Sequence, residues 1–525
     1  MKANMVKKFF SKITSTVFCL LILTYSHCSW AEIEKYLNPI KANFYRFGTH
    51  IRVTLDLATE IATYLKDGRL GEIAIHGAID DIALQLIIKS LRTNISLTML
   101  NFECCTLGAE GGIALADMLR TNIALTTLNL GIGDIGNKGG IALADALQTN
   151  TALNTLKLRL NNIGVDGGIA MGKALQTNTA LTTLDLRGNN IRTEGAIAIA
   201  GALLTNTALT TLTLINNNIG VDGGIAIGKA LQGNTTLTTL ELNDNPIGDE
   251  SARAIAEALL TNTTLTTLNL ANTNIHAGGG KALANALKVN TTLKTLILAN
   301  NAHLGAEDGI AIAEALLTNT ALTTLDLGGN VDIGTEGARA IVEALLTNTA
   351  LTTLNLSHFN LGNGNTIKIE KLLSRNILLA KLLRKVKSAS AFTIQSVLRK
   401  EPIGQVLPNI LRLAGLDAHN RITFANTQAY NNEAIKNIIF RGSLEEVIRL
   451  FYHGGYADDY EEILTEVTQV RQLHREALEE NHREIPEGLI ELTNEQQPSR
   501  ALITLIYDEP TERRALVENI FWGSV

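Results

Sequence analysis

The chain has 525 residues and a formal charge of −6, and it is 46% hydrophobic, 4% aromatic and 18% charged. That length is too great for one compact core, so two domains or a repeat array is expected, and the apolar share excludes wholesale disorder. The mild acidity leaves no overall positive field to hold nucleic acid or an anionic membrane, and no basic stripe runs along the chain.

The first residues, MKANMVKKFFSK, carry Lys2, Lys7, Lys8 and Lys12 and no acid. TSTVFCLLILTY follows, an apolar run of signal-peptide length, and Ser29 and Ala31 are small residues two apart. The pattern predicts a signal peptide over 1–31, cleaved after Ala31, and a secreted or periplasmic product. The run falls short of the roughly 20 residues a comfortable membrane span needs, so no integral span is expected in the mature chain. Tyr25, Ser26 and His27 before Cys28 do not suit a lipoprotein site. Two of the four cysteines, Cys19 and Cys28, lie in this leader, so only Cys104 and Cys105 remain and no disulfide framework or zinc spacing exists.

Residues 32–69 are expected to form an N-terminal helical cap, and a repeat begins at 70. Leu97, Leu125, Leu153, Leu181, Leu209, Leu237, Leu265 and Leu293 are each 28 apart, and Leu322 and Leu351 follow at 29. Self-similarity at such a period signals a solenoid. In each unit a stretch such as TTLDL alternates, so Leu184 and Leu186 point one way and Thr183 and Asp185 the other, as in a short strand. The second half, TEGAIAIAGALLTN, places Ala196, Ile199, Ala200, Leu203 and Leu204 on one side of a helix. Thr193, Asp249 and Thr335 are expected to cap these helices, and the small Gly195, Ala196 and Ala198 to let helices approach the strands.

Asn161, Asn189, Asn217, Asn245, Asn301 and Asn330 stand where the chain leaves the strand. An Asn there can donate and accept for the backbone of a buried turn. Cys105 and Thr273 can serve in part at that position, whereas Gly133 and Phe359 cannot, so those turns should be looser or differently closed.

The pattern LxxLxLxx(N/C)xI/L with an Ala-rich helix, over roughly 70–380, resembles the leucine-rich repeats of the ribonuclease-inhibitor type. It is similar to the repeat domains of NOD-like receptors. The resemblance implies an α/β horseshoe solenoid with parallel strands on the concave inside and helices outside. It also implies protein binding rather than catalysis. No cofactor is expected.

On the strands the solvent-facing letters are a threonine ladder and a variable position holding Asn129, Lys157, Asp185, Thr213, Glu241 and Asn269 in turn, with Arg159, Arg187 and Ile215 one step out. Lys157, Arg159, Asp185 and Arg187 form the densest charged cluster, with Glu241 and Asp244 beyond, and suit a protein partner of mixed or acidic charge. The sequons at Asn234, Asn262 and Asn290 follow from the repeated TNTTL phrase rather than from any need for glycan.

Residues 365–387, with SRN where TNT stands elsewhere, read as a closing helix pair, which places the solenoid and its cap over 70–387. The basic 378–387 is expected to cap the solenoid with its lysines in water rather than to touch a membrane. From 388 to 525 the Thr-Leu pairs vanish and the pattern predicts a small α-helical domain. It has no cysteine, no GxSxG, HExxH or GxxxxGK[ST] occurs anywhere, and His474 and His482 are eight apart with Leu478 where a middle ligand would stand. A salt-bridged helix fits Glu476, Glu480 and Glu484 better than a metal site. Three functions follow: an exported non-enzymatic protein-binding scaffold, a secreted effector whose C-terminal part acts on a host target chosen by the repeats, or a structural surface or envelope protein.

Overall fold

The computed structural model describes residues 44–46, 55–68, 70–77, 79–359, 362–400, 436, 439–440 and 460–479. The predicted leader, 1–31, lies outside them, as do most of 401–525 and Glu480, His482 and Glu484. The chain divides into two units: residues 1–315 with 324–337 and 355–359, and residues 316–323 with 338–354 and everything from 360.

In the first unit each repeat contributes one three-residue strand and one helix. The strands are β1 Phe44–Arg46, β2 Glu72–Ala74, β3 Met99–Asn101, β4 Thr127–Asn129, β5 Thr155–Lys157, β6 Thr183–Asp185, β7 Thr211–Thr213, β8 Thr239–Glu241, β9 Thr267–Asn269, β10 Thr295–Ile297 and β11 Thr324–Asp326. They stand side by side in chain order in one parallel sheet, as a right-handed strand–helix repeat requires. Register never slips: Leu128, Leu156, Leu184, Leu212, Leu240, Leu268 and Leu296 are successive partners. The alternating helices are α1 Leu55–Lys66, α2 Asp81–Leu91, α3 Gly108–Leu119, α4 Gly136–Leu147, α5 Gly164–Thr177, α6 Arg192–Leu203, α7 Val221–Gly233, α8 Gly248–Leu259, α9 Ala277–Leu287 and α10 Ala306–Thr318, the last running into the second unit. Within the region expected to be a helical cap, the chain forms both β1, which pairs with β2, and α1.

The core is a column of leucines. Leu181, Leu184 and Leu186 are fully buried, as are their counterparts from Leu125 to Leu327, each contributing about 1.5–3 kcal/mol before entropy is subtracted. The helical face departs from expectation at one residue. Ala196, Ile199, Ala200, Ala202 and Leu203 are buried, but Leu204 is 58% exposed. It lies one residue past the end of α6, at a position that holds Gln148, Gln176 or Lys288 in some repeats and the equally exposed Leu260 and Leu317 in others.

The small residues serve helix against helix rather than helix against strand. A Cβ on Gly168 would lie 3.2 Å from the Cα of Gly195, and one on Gly172 2.5 Å from the carbonyl carbon of Ala198. The expected caps are also reassigned. Thr193, Asp249 and Thr335 lie inside α6, α8 and α11 Gly334–Thr347, and α6 and α8 have no side-chain cap of their own. Thr193 and Asp249 act on the next repeat instead. Thr193 Oγ1 accepts from Gly220 N at 3.3 Å, and Asp249 Oδ1 from His276 N at 2.7 Å and Gly279 N at 3.2 Å. Gly220 and His276 precede α7 and α9, so the side-chain oxygen still meets a free helix N-terminus, one unit downstream.

The second unit holds the rest of α11, the segment 348–354, and two long helices, α12 Gly362–Lys400 and α13 Tyr460–Glu479. In place of a closing helix pair within 365–387 there is one continuous helix, α12, which runs across the expected boundary at 387. Its apolar face, Ile369, Leu372, Leu379 and Leu382, is buried, and so are Ile463, Leu464, Val467 and Val470 of α13. Among the described residues no helix is long and apolar enough to cross a membrane.

Candidate functional site

Two asparagine ladders hold the array, and their partners decide which polar side chains are structural. The first begins with Asn161. Its Nδ2 donates to Leu130 O of the preceding repeat and Leu158 O of its own, and its Oδ1 accepts from Gly133 N at 3.0 Å. Asn189 does the same toward Leu158 and Asn161, and Asn217 toward Leu186 and Asn189. The turn at Gly133 is therefore closed by its neighbour rather than loosened. Thr273 closes its own turn with Oγ1 on Leu270 O at 2.6 Å, and Cys105 Sγ donates to Ile75 O at 3.2 Å. Burial pushes the Cys105 thiol up to about 12, so it stays protonated and inert.

The second ladder is the Asn of the TNT phrase, a role the sequence pattern did not suggest. Asn178 Nδ2 donates to Leu147 O at 2.7 Å and Asn150 O at 3.0 Å, while Oδ1 accepts from Ala180 N and Leu181 N at 3.1 and 2.8 Å. It satisfies the last carbonyl of α4 and that of Asn150 beyond it, and turns its own chain into the next strand. The sequon residues Asn234, Asn262 and Asn290 belong to this ladder. Each is about 5% exposed, with Nδ2 donating to Leu203 O, Leu231 O and Leu259 O respectively.

In the second unit the ladder ends on Arg375 and Asn376. The guanidinium of Arg375 is fully buried and donates to Leu345 O, Leu346 O and Asn348 O at 2.8–2.9 Å, to Asn376 Oδ1, and to Nδ1 of His474 at 2.8 Å. Burial lowers its pKa to about 9, which leaves it charged at neutral pH. The cation sits at the C-terminal end of α11, where helix carbonyls favour positive charge. The expected residues of 378–387 are engaged here too. Lys381 binds Glu466 and, at 3.1 Å, Glu462 of α13, and Lys371 binds Glu476 at 2.8 Å. The Glu466 hydrogen bond raises the Lys381 pKa, and the Lys371 hydrogen bond lowers that of Glu476. His474 and Glu476 are thus structural, and among the described residues no three acidic, His or Cys side chains gather as a metal site.

The strand face carries the six residues singled out in the sequence, and the structure gives them unequal roles. Arg159 turns away from its neighbour Arg187 and reaches back two repeats, its Nε and Nη2 meeting Glu103 Oε1 at 2.7 and 2.5 Å. Gly131 makes this possible, because a Cβ there would lie 2.8 Å from Arg159 Cγ. Sequence reading missed Glu103; the signal was a glycine between two opposite charges at the period. Asp185 Oδ1 accepts from Arg187 N at 3.0 Å, closing a local turn as Asn101, Asn129, Asn269 and Asp326 do in their own repeats. Glu241 Oε2 accepts from Asn269 Nδ2 at 2.7 Å, and Asp244 accepts from Asn272 and Asn243 at 2.8 Å. Lys157 is exposed and Arg187 half-buried with its Nε lacking any partner; neither makes an ion pair among the described residues.

Comparison with known proteins fits this geometry. A Leucine Rich repeat family model matches the chain nine times, at residues 93–116, 121–144, 149–172, 177–200, 205–228, 233–256, 261–284, 289–313 and 318–342. The array is a leucine-rich repeat domain. No curated protein matches the chain. Solved structures similar to it include leiomodin-1 actin-binding site 2, at 31% identity and TM-score 0.29, covering 31% of this chain and 92% of that one. The tropomodulin C-terminal domain from Caenorhabditis elegans matches at 19% identity and TM-score 0.28, covering 31% and 97%. The complex of Rad7 and Elc1 in yeast matches at 15% identity and TM-score 0.38, covering 69% and 91%. Leucine-rich repeats of this chain thus place short, mostly unengaged threonines and two unmatched cations on one continuous strand face.

Proposed function

We propose that the protein is an exported, non-enzymatic scaffold that binds a protein partner on the strand face of its leucine-rich repeat array. The observation that carries the reading is the division of labour along each strand. The strand leucines from Leu128 to Leu325 are buried, the ladder asparagines Asn161, Asn189, Asn217, Asn245 and Asn301 are spent on scaffold carbonyls, and the outward row from Thr127 to Thr324 is half-exposed. A rigid face of short side chains accepts another backbone at low entropic cost. The period of 28–29 residues with a full helix in each unit supports the ribonuclease-inhibitor type. Export rests on the lysine-rich start, the apolar run and Ala31.

The test is affinity capture from the native compartment with the full chain, beside variants carrying Thr183→Trp and Thr239→Trp. Loss of one specific protein with both tryptophans, in variants that melt like the parent, supports the reading. Capture indifferent to both moves the binding surface off the strand face.

A further inference from the structure

Building on a partner docked at the strand face, we propose that this partner presents an acidic segment whose carboxylates seat on Lys157 and Arg187. The argument is the local charge around Lys157 and Arg187, two cations beside Asp185, whose Oδ1 is spent on a backbone amide. Of the acids there, Glu103 is neutralised by Arg159, while Asp185, Glu241 and Asp244 accept only from neutral amides and keep their charge. Arg159 is matched by Glu103 across the notch at Gly131. Lys157 and Arg187 are left on adjacent repeats. Lys157 is the register partner of Asp185 on the next strand, yet the two form no ion pair.

Arg187 adds a specific demand. Its Nε is buried and lacks a hydrogen-bond partner, an unfavourable state that an incoming acceptor relieves. The next position along its row is Ile215, which offers none. A carboxylate laid over Arg187 meets the guanidinium fork in the geometry that pairs best with it. Thr155, Thr183 and Thr211 flank the two cations, and their short side chains leave room for the approach. Two cations are far too few to hold a nucleic-acid backbone, whose binding draws on many phosphate contacts.

The first experiment measures fluorescence anisotropy of labelled octaglutamate, octaglutamine, a phosphoserine peptide and a single-stranded oligonucleotide against the full chain at low salt. Octaglutamate is expected to bind, to weaken with added salt, and to lose about tenfold or more in Lys157→Glu/Arg187→Glu, the scale of lost charge-assisted hydrogen bonds. Lys157→Gln/Arg187→Gln should lose affinity in the same direction, which guards against misfolding of the reversal variant. Lys288→Glu on the helical side should change nothing. Octaglutamate that does not bind, or binds the variants equally, overturns the proposal. Tighter binding of the phosphopeptide or the oligonucleotide overturns it too, by putting phosphate where carboxylate is claimed. A native partner lost with the threonine-to-tryptophan variants but indifferent to Lys157 and Arg187 reversal would end this inference and leave the strand-face reading intact.

Discussion

Asn178 makes four hydrogen bonds to backbone groups of two repeats, and an apolar side chain would leave all four groups buried without partners. Asn178→Ala is therefore expected to lower the stability of the array by about 2–4 kcal/mol, since each unpaired group costs about 1–3 kcal/mol less whatever relaxation recovers; urea unfolding followed by circular dichroism measures it. The same geometry predicts the fate of the sequons. The amide nitrogen a glycan would need on Asn234, Asn262 or Asn290 is committed to a buried carbonyl. Expression in a glycosylating host should leave the intact mass free of glycan at all three sites, and occupancy at any of them would show modification before folding. Asp308 is a residue of the opposite kind. It is buried at a place where other repeats hold Gly111, Gly139 or Gly167; Oδ2 accepts from Gly305 N at 2.8 Å while Oδ1 has no hydrogen bond. Burial raises its pKa above the ordinary 3.8. The fold then holds this proton more tightly than the unfolded chain does. Its contribution to stability is complete below the unfolded pKa and lost as pH rises through the folded one. The stability difference between the parent and Asp308→Asn should shift toward the parent as pH falls from neutral to the ordinary carboxylate range. Paired urea melts at several pH values test this, and a constant difference would mean that Asp308 titrates as it does in the unfolded chain.

Helices α5 and α6 show why glycine recurs in the repeat, and two positions separate its two costs. A Cβ on Gly172 would stand 2.5 Å from backbone of α6, so any side chain there forces the two helices apart. A Cβ on Gly201 of α6 would meet nothing within 4 Å. Gly172→Val is expected to cost about 1–3 kcal/mol or more through overpacking. Gly201→Ala should stabilise by about 0.5–1 kcal/mol through helix propensity alone. Thermal melts of the two variants beside the parent decide it, and equal effects would mean that the helices are not in close contact. The strands were legible in the sequence because Leu184 and Leu186 alternate with Thr183 and Asp185 at a period no helix shares. The caps were not. Thr193 and Asp249 were expected to cap their own helices because a linear pattern shows only the neighbours in sequence, whereas their acceptor oxygens reach amides 27 residues downstream. Arg159 escaped for the same reason: its partner Glu103 lies 56 residues back, and only the absence of a side chain at Gly131 betrays the path.

At the scale of the molecule, a stack of repeats is stabilised by each unit and by its nearest neighbours, so a lesion is felt differently at the end than in the middle. Within the second unit Asn376 keeps the ladder contact to Asn348 O at 3.1 Å, and Arg375 beside it takes over the carbonyls of the preceding helix. SRN at 374–376 showed that the register continued, but not that Arg375 would replace a whole set of contacts. Its guanidinium holds Leu345 O, Leu346 O and Asn348 O, and Asn376 Nδ2 holds Leu351 O at 2.7 Å. Arg375→Met keeps much of the buried volume and strips those carbonyls of their donors. The expected result is a local loss on the order of 3 kcal/mol, read as faster amide hydrogen exchange over 338–356. The amides of 125–270, which belong to the first unit, should keep the protection of the parent, because local opening need not travel. A uniform rise in exchange across the array would instead mean that the repeats open as one cooperative block, with Arg375 stabilising all of it.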